Sequence, residues 1–572
     1  MAIEDFKEIY LVDFEFHPIN KHEGNRPMPV CMVVKEFVSG KTHKYWQNEL
    51  QELSSCPLPV SSEVLWVAYF ATAEMDCFEA LGWALPVNLL DLFTEFRWLR
   101  NGADKGFKRG LIAALRYFGL ESIATEEKER LRDLILGGGP WSESKKQEIL
   151  DYCESDVTSL LNLLPAMVPS LDLPRALLRG RYMQAVSRIQ SVGVPIDSDY
   201  LLKLTDSWNG IQKRLIEDID VNYGVYVNGS FKSSLWNKYL EENDLPWPRL
   251  ESGNLSMDSD TFKSMSKIYP QISPIAELRA TLAEFRLSEL NVGEDGRNRC
   301  LLSPFSAKTG RNQPSTTKFI FGPAVWLRGL IKPAEGYGIA YVDWSQQEFG
   351  IAAALSGDEN MMEAYKSGDP YLAFAKQASA VPANATKSTH KNEREQFKAC
   401  VLAVQYGMGD ASLAQRIDQP IARAKQLLKL HRQTYKKFWA WSDRAVDEAI
   451  LNKRLWSAFG WQILVGEDPN DRSLRNFPMQ ANGAEMLRIA CILLTESGIR
   501  VCAPVHDALL VEAKLEELDE VVEKTQNLMK VASEIVLNGF SLNSDANIIK
   551  YPERYMDERG AVMWETIEKI IC

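Results

Sequence analysis

The chain has 572 residues, 45% hydrophobic and 25% charged, and carries a net charge of −12. That length exceeds a single core, and the ordinary composition places it among globular proteins of several domains. No run approaches 18 apolar residues, so no membrane span is expected; nor is a signal peptide, since Met1-Ala-Ile-Glu-Asp-Phe-Lys7 has no apolar core. Nine scattered cysteines without a C-x-x-C pair suggest neither a zinc site nor a disulfide framework and fit a reducing, cytoplasmic setting.

Ile9-Tyr-Leu-Val12 reads as a buried strand, followed at once by Asp13-Phe-Glu15. In a strand, positions 13 and 15 share a face, so two carboxylates converge and call for a cation or proton. Val30–Val38 and Val64–Phe70 are further strands, and Asp76 follows the second. Glu148–Leu161 has helical periodicity, which puts Tyr152 and Asp156 four apart on one face. Pro165, Pro169 and Pro174 mark a linker near Leu171. Arg181–Val192 reads as an amphipathic helix, and residues 200–220 and 275–292 as charged helices that could touch phosphate.

Ser306–Pro314 is a polar, basic loop containing Arg311. Ile339–Val342 is a β-branched run that delivers Asp343 at a strand end, and Trp344-Ser-Gln-Gln347 then turns the chain into a helix led by Glu348. Arg394, Lys398, Leu402 and Tyr406 lie four apart, a helix face suited to a triphosphate and a base. Arg472, Asn476 and Gln480 repeat that spacing on a long helix through Ile492 and could donate to minor-groove acceptors. Arg500–Val505 and Leu509–Glu512 read as two strands with His506-Asp507 at the hairpin tip, where Asp507 could meet Asp343.

Two resemblances emerge from these motifs. Asp13-x-Glu15, Asp76 and Tyr152-x-x-x-Asp156 resemble the 3′–5′ exonuclease family with four acidic metal ligands. Asp343-x-Ser-Gln-x-Glu348, Arg394-x-x-x-Lys398 with Tyr406-Gly407, and His506-Asp507 resemble, in that order, the three motifs of the family A DNA polymerases. The implied fold is multidomain α/β: a ribonuclease H-like exonuclease domain at 1–170, then a right-hand polymerase domain at 171–572. Within it the thumb is expected at about 180–300, the palm at about 301–357 and 438–572, and the fingers at about 358–437. No 5′ nuclease domain is expected.

The resemblance implies a DNA-directed DNA polymerase with proofreading. Asp343, Asp507 and the Trp344 carbonyl would hold two Mg²⁺ ions, with Mn²⁺ able to substitute; Asp13, Glu15, Asp76 and Asp156 would hold two more. Tyr152 would orient the attacking water in the exonuclease. Arg394 and Lys398 would bind the outgoing phosphates, Lys398 donating a proton. Tyr406 would floor the base-pair pocket, and Glu348 with Leu402 would set sugar choice. Arg311, Arg472, Asn476, Gln480 and His506 would contact DNA. The partners implied are primer–template DNA, dNTPs and replication accessory proteins, acting on a monomer in a bacterial cell or phage-infected host.

The chain departs from the family at several positions. Thr72 replaces an Asn, Leu402 an aromatic, Gly350 an Arg, and Ala508 the Glu after the third-motif Asp. These departures place the chain on a divergent branch, and they motivate an alternative in which the polymerase-like half only scaffolds an exonuclease. An RNA-synthesising enzyme of similar shape is a third reading, which Glu348 opposes.

Overall fold

The computed structural model describes residues 2–20, 26–103, 108–121, 125–250, 252–284, 290–322, 324–405 and 407–571. The first segment builds a five-stranded sheet. Its strands are β1 (Glu8–Asn20), β2 (Arg26–Glu36), β3 (Thr42–Trp46), β4 (Val64–Ala68) and β5 (Asn88–Asp91), in the order β3-β2-β1-β4-β5. β1 pairs antiparallel with β2 and parallel with β4. Leu11, Val12, Val33 and Val67 are fully buried in it, as β-branched and long apolar residues on a sheet covered on both faces require. Helices α1 (Thr72–Ala80), α2 (Leu92–Arg100), α3 (Thr125–Leu136) and α4 (Glu143–Met167) surround the sheet.

The expected linker is short. α4 runs through Pro165 to Met167, and α5 (Leu173–Val192) begins almost at once, with Asp172 capping it and Pro174 in its first turn. Proline is tolerated there because the first-turn N–H groups lack intrahelical partners. α5 also corrects the reading of an amphipathic helix, since it is buried on most sides between the first segment and the rest of the chain. On one side a Cβ at Gly180 would stand 1.8 Å from the Leu89 carbonyl, so the helix backbone packs directly on β5. On the same side Arg179 is locked to Glu95 of α2 by two hydrogen bonds of 2.6 Å, with both side chains buried. Asn101 adds bonds of 2.6 Å to the carbonyls of Lys308 and Gln462.

α6 (Ser198–Asp220) and the helices Ser233–Glu242, Ser259–Ile268 and Ser273–Glu284 form the middle region. The last ends within the expected 275–292 span, of which residues 285–289 lie outside the described residues.

The second sheet has four antiparallel strands. β6 (Tyr337–Trp344) lies between β8 (Ala508–Lys514) and β9 (Ser544–Lys550), and β7 (Arg500–Val505) pairs with β8. α7 (Gln347–Ser356), α8 (Pro370–Gln377), α9 (Lys391–Gln405), α10 (Ile421–Thr434) and α11 (Asp471–Glu496) complete this part of the chain, and α12 (Leu518–Val536) packs on the sheet across β6, β8 and β9 and against α11. The contact is close at Gly338, where a Cβ would stand 2.4 Å from a Leu518 methyl.

Glu95→Ala would leave the Arg179 guanidinium buried without its counter-charge. It is expected to lower stability by about 3–5 kcal/mol in a chemical-denaturation experiment.

Candidate functional sites: two carboxylate centres

The first centre lies where β1 meets α4. Asp13 and Glu15 project from one face of β1, and Asp156 comes from α4; their ligand oxygens all lie within 4.8 Å of one another. Among the described residues no other group of three or more His, Cys, Asp or Glu side chains is so close. Burial first, then the Asp156 charge, pushes Asp13 up to about 8, with Lys128 and Cys153 opposing. Burial, then Asp13, holds Glu15 well above the usual carboxylate range. Such a cluster gains by binding a proton or a hard cation. Lys128 of α3 supplies the positive charge here, its Nζ 2.5 Å from Asp156 Oδ2 and 5.6 Å from the centre of the Tyr152 ring. Cys153 Sγ donates to Asp13 Oδ2 at 3.3 Å.

The second centre lies at the end of β6. Asp343 faces Ala508 on one side and Asp545 on the other in the strand register. Between β7 and β8 the chain reverses at His506-Asp507, with His506 in the left-handed region at φ 56. The Asp507 carbonyl accepts from the Trp344 N–H at 3.2 Å, which ties the hairpin tip to the end of β6. Burial, then the charges of Asp507 and Asp545, raises Asp343 to about 6. Burial likewise raises Asp507, opposed by its backbone, His506 and Arg311.

A cavity of about 410 Å³ opens beside these acids, lined among others by Arg311, Glu348, Tyr371, Leu402, His506 and Asp507. Glu348 stands in the first turn of α7, and its Oε1 is 3.3 Å from Arg311 Nη2. α9 overlooks the cavity. Arg394 of α9 donates to Asp369 and Glu395 at 2.6 Å each. Arg394 and Lys398 both lie over Tyr371, at 5.5 and 5.9 Å from its ring centre.

A model of DNA polymerase family A matches residues 243–547. The chain belongs to DNA polymerase family A. It is 26% identical to DNA polymerase I of Aquifex aeolicus over 397 residues, covering 66% of this chain and 67% of the relative. With the DNA polymerase of Mycobacterium phage D29 it shares 25% identity, covering 72% and 71%. The thermostable DNA polymerase I of Thermus thermophilus is 23% identical, and the match covers 61% of this chain but 45% of that protein's length. Among solved structures, the POL domain of Pol1 from M. smegmatis, in complex with DNA primer-template and dNTP, superimposes with a TM-score of 0.68. Identity there is 18% and coverage 94% of both chains, so the likeness is one of fold.

The expected residues are distributed as follows. Asp343, Asp507, Arg311, Glu348, Leu402 and His506 meet at the second centre, with Arg394 and Lys398 above it. Trp344 buries its indole, whose N–H donates to the Met529 carbonyl at 3.3 Å. Arg472 is exposed on α11, while Asn476 and Gln480 are half-buried, and Asn476 Oδ1 has no hydrogen-bond partner among the described residues. Tyr406 lies outside the described residues.

Asp76 does not join the first cluster, which corrects the sequence reading. It stands on α1 with Oδ2 accepting from Gln190 of α5 at 2.9 Å, and it lines a separate cavity of about 280 Å³ with Phe16, Phe70 and Arg299. Two residues earlier, about 200° around a helix, Glu74 turns the other way. It is 3% exposed, its Oε2 accepts from the Phe14 N–H at 2.9 Å, and burial followed by the Asp13 charge raises it well above its usual range. Sequence reading missed Glu74 because the start of α1 decides which acid faces β1. That start is set by Phe70, at φ 71, whose N–H is caught by Asp91 Oδ1 at 2.8 Å. Lys128, Tyr371 and Gln405 were also missed, since each borders a site only through the packing of separate helices.

Burial raises Asp76 to about 7. An unfolded Asp titrates near about 4, so the native state binds the extra proton between those values and loses stability as pH rises through that window. Asp76→Asn is therefore expected to raise the thermal midpoint more at pH 8 than at pH 4.5. Equal changes at both would contradict the assignment.

Proposed function

We propose that this family A protein is a template-directed DNA polymerase that extends a primer 3′ end with dNTPs, and that its first segment is a 3′–5′ proofreading exonuclease. The observation that carries the first part is the meeting of Asp343 and Asp507 at the end of β6, inside the family match and beside a cavity lined by Arg311 and Glu348. No Lys or Arg among the described residues forms an ion pair with either acid. Their all-oxygen donor set fits Mg²⁺. When bound, divalent ions would lower the pKa of the primer hydroxyl and offset charge gathering on the α-phosphate.

The chain's own groups supply binding and selection. Arg394 and Lys398 meet the triphosphate, Arg394 exchanging its bonds to Asp369 and Glu395 for phosphate oxygens. Glu348, held by Arg311 and half-buried, fills the space where a ribose 2′-hydroxyl would sit. His506 stands at the primer end, and Arg472, Asn476 and Gln480 of α11 run along the minor groove.

Support for the exonuclease comes from the first cluster and from a sheet in which three antiparallel strands lead into two parallel ones, the arrangement that a ribonuclease H-like fold requires. Asp13, Glu15 and Asp156 would hold its ions with Glu74 beside them, and Tyr152 would orient the water. We assign residues 1–170 to this domain and 171–572 to the polymerase, acting on primer–template DNA in phage or bacterial replication. No helix among the described residues is long and apolar enough to cross a membrane.

Primer extension with Mg²⁺ and dNTPs tests the proposal. Asp507→Asn is expected to slow extension by about 10²- to 10³-fold; wild-type extension by that variant would overturn it. Asp13→Ala should stop removal of a mismatched 3′ nucleotide and leave extension intact. Glu348→Ala should raise incorporation of rNTPs relative to dNTPs by about tenfold or more.

A further inference from the structure

Among the described residues, α3 keeps its charges in solvent with one exception. Glu127, Glu129, Arg130, Arg132 and Asp133 are exposed, while Leu131 and Ile135 are buried in the core of the first segment. Lys128 lies three and seven residues before those two, on the same helical face, and it is not exposed. A lysine on an inward face needs a partner, and this one reaches the first carboxylate centre. Its Nζ is 2.5 Å from Asp156 Oδ2 and 5.6 Å from the centre of the Tyr152 ring. It therefore meets both of the side chains that α4 presents there one turn apart.

We propose that Lys128 is a substrate-binding residue of the exonuclease, its ammonium holding the scissile phosphodiester of a single strand beside Asp156 and Tyr152.

The inference rests on the exonuclease reading above, and three observations support it. Asp13, Glu15 and Asp156 converge at this centre, and among the described residues no other Lys or Arg forms an ion pair with any of them. A phosphodiester entering the cluster thus meets like charge from three side chains and attraction from Lys128. An ammonium has three donors. One is used on Asp156, and Lys128 makes no other hydrogen bond among the described residues, so it can take a phosphate oxygen without giving up the carboxylate. The Lys128 side chain is also 28% exposed, against 11% for Asp156, so the pair is not sealed from solvent. Arg130, two residues on, gives the contrast: its bond to Glu148 joins two exposed side chains, an ordinary surface pair of little energetic weight.

A double-mutant cycle between protein and DNA tests the inference. The full chain carries Asp13→Ala, so that the DNA survives, and its binding to a single-stranded oligonucleotide is followed by fluorescence anisotropy. The oligonucleotide is either natural or has its 3′-terminal linkage replaced by an uncharged methylphosphonate. With Lys128 present, the neutral linkage is expected to weaken binding by about tenfold. Lys128→Met, which keeps the stem without the charge, should bind both DNAs alike, and Lys128→Arg should discriminate between them again. Binding at the polymerase centre is common to all these proteins and cancels in the cycle. Without Asp13→Ala, Lys128→Met should lower the exonuclease kcat by about 10- to 100-fold, and Lys128→Arg should restore most of it. Circular dichroism and the thermal midpoint establish that each variant is folded. If the chain degrades single strands but the Lys128→Met variant still discriminates as its parent does, or the parent does not discriminate, Lys128 is only a structural partner of Asp156; the inference is then overturned and the exonuclease reading stands. If the unaltered chain degrades no single strand, the exonuclease reading itself fails and the inference falls with it.

Discussion

Repulsion between carboxylates is the constraint on which both halves of this molecule depend. Asp13, Glu15 and Asp156 share one buried space, and Asp343 sits between Asp507 and Asp545 at the end of a strand. Neither arrangement benefits folding by itself: burial and like charge push Asp13 to about 8 and Asp343 to about 6. A fold pays such a cost where the charges have a use. The two sites bear it differently. The first places Lys128 against Asp156, whereas the second keeps its acids open to the cleft.

Rigid packing holds the acids in place. β6 is an inner strand of its sheet, fastened on both edges and backed by α12, so Asp343 has little freedom of position. Asp507 lies at a hairpin tip, a mobile place in many proteins, but its carbonyl is bonded to Trp344. α5 joins the two halves through the buried Arg179–Glu95 pair and the contact of Gly180 with β5. The first segment is thus welded to the polymerase core, and the two carboxylate centres keep a fixed relation. Under the proposed function, a primer end would pass between them carried by the DNA rather than by a swing of one half of the protein.

Much of this was legible in the residues. Strand-end carboxylates announce themselves, since an apolar β-branched run that stops at an Asp fixes both the element and the exposed group. Asp343 was read in that way, whereas Asp13 and Glu15 were read from the face they share and lie inside β1 rather than at its end. The four-residue spacing on α9 and α11 was equally plain, and both helices form. Helical phase was not legible. Glu74 and Asp76 are two residues apart, and only the turn at Phe70 with its bond to Asp91 decides which one faces β1. The interior character of α5 was hidden as well, because its Arg179 and Gln184 look like surface residues until Glu95 and the Pro86 carbonyl pair with them. Asp545 was invisible for a similar reason: β9 is a polar edge strand, and its register against Asp343 is a tertiary fact.

In the proposed function, Asp343 and Asp507 form the cation site at which a nucleotide is joined to a primer. Anomalous scattering from Mn²⁺ in a crystal of the protein with a dideoxy-terminated primer–template and the matching dNTP tests it most directly. Anomalous peaks are expected between Asp343 and Asp507 and in contact with the triphosphate, with Arg394 released from Asp369. A bound dNTP with no peak at those acids, or with Mn²⁺ held elsewhere in the cleft, would contradict it.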